Sequence, residues 1–90
     1  MKRLGWSHEK NLWLQRTRGV SFEEIAHHIE NDRILDVRRH PNRERYPHQR
    51  VFVIAFGDYV YLVPFVEDDE EIFLKTIIPS RKVKKEFEDG

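Results

Sequence analysis

The sequence predicts an α+β domain: two N-terminal helices packed on one face of a four-stranded antiparallel meander, then a short C-terminal helix. Two helix-start signals lie within the first 25 residues, and four strand-like runs all follow residue 33. Helices grouped before strands indicate an α+β arrangement. At 90 residues the chain is read as one domain, 1–90, small enough to require a compact core.

The first helix is expected over Ser7–Arg18, with Ser7 as N-cap and Gly19 as the left-handed residue that ends it. Leu12, Trp13 and Leu14 are consecutive rather than helically spaced, so Trp13 reads first as a further wall of a wide apolar face. It reads second as a contact for a partner. The stretch "VSFEEI" opens the second helix: Ser21 and Glu24 form a capping box, and Val20 and Ile25 a hydrophobic staple. Phe22, Ile25, Ala26 and Ile29 then keep helical spacing, and Asn31 or Asp32 closes the helix.

From Ile34 the pattern is that of strands. "ILDVRR" is followed by the polar loop "HPNRERYPHQ", and "RVFVIAF" is apolar on both faces, as a central strand is. Gly57-Asp58 makes a hairpin turn into "YVYLVPFV", where Pro64 demands a bulge or a missing ladder bond. "IFLKTII" is expected as one fourth strand. Alternation then turns Ile72, Leu74, Thr76 and Ile78 to the helices, and Phe73, Lys75 and Ile77 to the open face. Pro79 stops the ladder and Ser80 caps "RKVKKEFE".

The chain carries no cysteine, which rules out disulfides and zinc–thiolate sites and suits a reducing cytoplasm. No signal-like or membrane-spanning run is present, so the expectation is a soluble cytoplasmic protein without membrane association. Net charge is zero, but residues 1–50 hold eleven Lys/Arg against seven Asp/Glu, and residues 51–90 hold five against nine. Local blocks of each sign allow a phosphate-binding face on a neutral chain. His27 and His28 are neighbours rather than i, i+4 partners, and the acidic turn lacks a calcium-loop pattern; no metal or cofactor is expected.

Basic and aromatic residues supply the candidate chemistry. Arg50, Lys75 and Arg81 are candidates for stabilising phosphoryl charge. His48 and Tyr46, with His40 nearby, are candidates for proton transfer. Arg43, Arg45 and Lys82 are candidate RNA contacts through their charge. Each also has a plainer reading: a salt bridge for Arg50, edge-strand protection for Lys75, a loop anchor for Tyr46, loop surface for the histidines.

The stretches "GWSHEKN", "RGVSFEEI", "QRVFVIAF" and "TIIPSRK", in this order across nearly the whole chain, resemble BrnT-type toxins of bacterial type II toxin–antitoxin pairs. The resemblance implies a RelE-like ribonuclease fold and an mRNA-cleaving, translation-blocking activity, on or off the ribosome. It also implies neutralisation by a small antitoxin that often carries a DNA-binding domain. Carried over by position, Arg50 is the strand-start arginine, Arg81 the arginine closing the last-strand motif, and Trp6 and Lys10 belong to the N-terminal motif, which makes them candidate RNA contacts. Ser7 stands where the family has Asp, and Gln49 where an acid precedes the arginine; His48 is then the candidate to replace that acid. A non-catalytic RNA- or ribosome-binding module, or a protein-interaction domain, are the alternatives.

Overall fold

The computed structural model describes residues 2–89. The order is β1 (Arg3–Trp6), α1 (His8–Arg18), α2 (Phe22–Glu30), β2 (Asp36–Arg39), β3 (Arg50–Phe56), β4 (Tyr59–Glu67), β5 (Glu71–Leu74), β6 (Ile78–Pro79) and α3 (Arg81–Asp89). The α+β class is as expected, but the sheet is larger and mixed. Its strands run β1-β5-β4-β3-β2, with β6 also paired to β4. β1, absent from the sequence reading, lies parallel to β5 with Arg3 opposite Glu71 and Trp6 opposite Leu74. Four residues are too few to show a convincing alternation, yet Leu4 and Trp6 both turn to the core.

Local chemistry explains the helix ends. The Ser7 hydroxyl accepts from the Lys10 N–H, and Gly19 closes α1 at φ 66°, a left-handed conformation that glycine adopts without a Cβ clash. The capping box at Ser21 and Glu24 is complete. Asn31 is the C-cap of α2. Between the helices sits Asn11, the buried polar side chain of the core: its amide donates to Glu23 at 2.6 Å and its oxygen accepts from the Phe22 N–H at 2.8 Å.

Both N-terminal helices cover one sheet face, where Leu14, Phe22 and Ile25 meet Phe52, Ile54, Val63, Phe65 and Leu74. Phe52 and Phe65 stack at 4.0 Å. The other face is covered by α3, whose Val83 packs on Val53 and Val60. β3 is therefore buried on both sides, as its continuous apolar run requires. Trp13 is not a wall of this core. It is 38% exposed because Leu14 alone of its neighbours points inward, and both Lys10 and Arg18 lie over its ring.

The expected single strand over residues 72–78 is broken, and Pro64 supplies the reason. Pro64 lies in register with Val51 of β3, and its carbonyl points the other way, accepting from Lys75 N–H at 2.8 Å. A proline offers no N–H on that side, so the ladder cannot continue there. The chain leaves β4 after Leu74 and rejoins at Ile78. Alternation loses its phase across the gap: Ile77 is fully buried with the helices while Ile78 is exposed, the reverse of the expectation. Pro79 does not end pairing, because it sits opposite Tyr61 and Ser80 N–H still reaches the Val60 carbonyl. β2 begins at Asp36 rather than Ile34, whose side chain is drawn into the core.

Candidate nucleic-acid interface

Register fixes what shares the α3-covered face. Arg38 lies opposite Val51, Val51 opposite Pro64, and Lys75 is tied to Pro64 by its N–H. The row Arg38–Val51–Pro64–Lys75 thus crosses the sheet with an apolar centre and a cation at each end, three strand spacings or roughly 14 Å apart. Lys75 is exposed, and its ammonium lies 5.5 Å from the Phe73 ring centroid. Beside this row, α3 and the sheet enclose a groove of about 260 Å³, floored by Val51, Leu62 and Val83 and rimmed by Arg38, Arg39 and Lys82.

Arg38 is held by two carboxylates, Asp36 at 2.8 Å and Glu86 at 3.0 Å, and its guanidinium lies 5.8 Å from Phe87. The hydrogen bond from Arg38, then that from the Val37 N–H, holds Asp36 below its ordinary value. Lys82 forms no ion pair among the described residues and is exposed, so its charge is open to a ligand on this face, whereas Arg39, although it borders the groove, lies in register with Arg50 of the opposite face.

The loop over residues 40–49 begins at this groove, since Pro41 lines it. His40 and Tyr46 touch, with ring centroids 4.5 Å apart, and Arg45 lies 5.4 Å from the Tyr46 ring. The His40 Nδ1 accepts from the Asn42 N–H at 3.1 Å, which leaves the proton on Nε2 of the neutral ring. Asn42 also binds the Tyr46 N–H through its carbonyl and the Arg45 N–H through its side chain. Tyr46 is therefore a loop anchor whose partner is a histidine. Arg43 and His48 are exposed on the same loop.

No known protein family, curated protein or solved structure matches this chain.

The geometry of this face does not bring all the candidates together. Arg50 lies opposite Phe65, on the sheet face that carries α1 and α2. Its guanidinium is paired with Glu67 and lies 5.1 Å from the Phe65 ring. Arg81 lies on the far side of α3, beside Tyr59 and Lys84, while Lys82 of the same motif faces the groove. Trp6 stacks on Phe22 at 5.6 Å and belongs to the core rim; Lys10 lies against Trp13 on α1. Arg38 and Arg39 were not singled out by the sequence. Only strand register shows that Arg38 shares a face with Lys75. Among the described residues, no group of three His, Cys, Asp or Glu side chains is placed to hold a metal ion.

Chemically, cations bordering an apolar strip suit a phosphodiester with a base laid on the strip. An imidazole and a phenol beside them are groups able to move a proton.

Proposed function

We propose that the chain is a metal-independent ribonuclease of the toxin type, acting on single-stranded RNA laid across the α3-covered face. The observation that carries this reading is the pair of exposed cations Lys75 and Lys82, unpaired among the described residues, bordering the apolar strip of Val51 and Pro64 on the α3-covered face. Cleavage without a metal requires the 2′-OH to lose a proton, the phosphorane charge to be stabilised, and the 5′-oxygen to gain a proton. Lys82, which lines the groove with Pro41 beside His40, stabilises that charge, and Lys75 holds a neighbouring phosphate along the strand. His40 or His48 and Tyr46 carry the proton transfers. Resemblance of four sequence stretches to BrnT-type toxins supports the same reading, with a RelE-like fold, a cytoplasmic site of action and a small antitoxin as partner.

The test is colony formation on inducing the chain alone, beside Lys82→Ala and Lys75→Ala. It is paired with incubation of the purified chain and end-labelled RNA in a chelator. Growth arrest, and fragments ending in 2′,3′-cyclic phosphate that both variants lose, are expected. Intact RNA and normal growth from well-folded wild type reject catalysis.

One observation favours a second reading, a non-catalytic RNA-binding module. Arg50, the strand-start arginine of the resemblance, is taken up by Glu67, and the residue before it is Gln49. Salt-sensitive binding without cleavage is the result that distinguishes it.

A further inference from the structure

We infer that the outer surface of α1 around Leu12 and Trp13 is a docking surface for an acidic, amphipathic segment of a partner protein. This inference is independent of the ribonuclease reading, because α1 packs on the sheet face opposite α3.

Leu12 and Trp13 are adjacent and 45% and 38% exposed. Nothing in the fold requires a large apolar pair there, since Leu14 and Asn11 make the helix's buried contacts. The indole is also held in place. The Lys10 ammonium lies 4.4 Å from its centroid and the Arg18 guanidinium 5.2 Å. Arg18 is itself fastened, donating to the Ile77 carbonyl in the link between β5 and β6. An exposed tryptophan with a fixed position loses little entropy on binding, and tryptophan and arginine are the residues that most often dominate interface energy.

Charge selects the partner. Lys10 and Arg16 line the open cleft beside Leu12 and Trp13, Arg18 lies over the indole, and Glu9 is the acid at the margin. A partner that meets this surface with carboxylates gains complementarity. A second copy packed face to face sets Lys10, Arg16 and Arg18 against themselves, which disfavours a symmetric dimer through this patch. A segment that buries apolar side chains on Leu12 and Trp13 while its acids reach the flanking cations fits an amphipathic helix laid along α1.

The test is a display selection of random peptides of about 15 residues, long enough to form a bound helix, on the full chain. Binders to the Trp13→Ala chain are removed by counter-selection. Enriched peptides are then titrated while the two indole N–H signals are followed by NMR, with a single-stranded uridine oligonucleotide as the comparison probe. Acidic peptides with apolar residues three or four apart are expected. They should shift the Trp13 signal and leave that of Trp6 in place. They should weaken at least about tenfold on Trp13→Ala and on Arg16→Glu. Both positions are exposed, and an unchanged Trp6 signal certifies the fold. Failure to enrich any Trp13-dependent peptide overturns the proposal, as do enriched peptides that are basic or uncharged. An oligonucleotide that moves the Trp13 signal more than the peptides do makes this surface a nucleic-acid platform and overturns it equally.

Discussion

Lys75 N–H donates to the Pro64 carbonyl at 2.8 Å, across the gap that Pro64 itself opens between β5 and β6. The bond holds the lysine opposite a proline that has no donor to offer in return, and sends its side chain to the α3-covered face. Since the ammonium is exposed, its removal costs little in stability, within about 0.5 kcal/mol for a surface change of this kind. Lys75→Ala should therefore melt like the wild type yet bind single-stranded RNA more weakly. The slope of log affinity against log salt should become shallower by about one phosphate contact. An unchanged slope would remove Lys75 from the interface and leave edge protection as its role.

Much of this fold can be read from residues in isolation. Ser7, Ser21 with Glu24, and Gly19 each act within one turn of chain, so the bounds of both N-terminal helices follow from local chemistry. What escapes is set across strands. Nothing in "IFLKTII" announces a break; it lies in Pro64, eight residues before Ile72 on the neighbouring strand. β1 escapes because a parallel partner some 68 positions away defines it. The interface suffers in the same way. Arg50, Lys75 and Arg81 look alike as cations near strand ends, and only register assigns Arg50 to one face and Lys75 to the other.

Asn11 provides a test of how the helices are joined. Its oxygen satisfies the Phe22 N–H and its amide meets Glu23, all within the interface of α1 and α2. Asn11→Ala leaves a buried backbone donor unpaired, a loss of about 1–3 kcal/mol. Urea unfolding should show a lower midpoint with unchanged slope. Asn11→Asp should be worse near neutral pH, because two carboxylates then face each other, and should recover in acid as one of them takes a proton. A variant as stable as wild type would mean that water replaces the amide.

The assignment of faces makes Arg50 a discriminating residue. Glu67 binds both Arg50 and, at 3.0 Å, Lys2, so it ties the residue before β1 to the start of β3 through side chains. These groups are partly exposed, and the pair is worth no more than about 1 kcal/mol. Arg50→Ala should lower stability by that small amount and leave RNA affinity close to wild type, whereas Lys82→Ala should do the opposite. Loss of binding or growth arrest in a folded Arg50→Ala chain would move the functional surface to the helix-covered side of the sheet.

Acid should loosen α3 before it unfolds the rest. Among the described residues the helix contributes one buried apolar side chain, Val83, to its contact with the sheet, and Arg38 links its Glu86 to Asp36 on β2. Hydrogen bonds from Arg38 and from the Val37 N–H hold Asp36 below the ordinary carboxylate value. The folded chain thus binds that proton less readily than the unfolded chain. Stability from this group is complete above the unfolded value, and is lost as pH falls from about 4 through the lowered folded value. The stability gap between wild type and Asp36→Asn should be widest near neutral pH and close in acid, with α3 resonances the first to move. A gap that stays constant into strong acid would show that the carboxylate's charge contributes nothing to holding α3 over the groove.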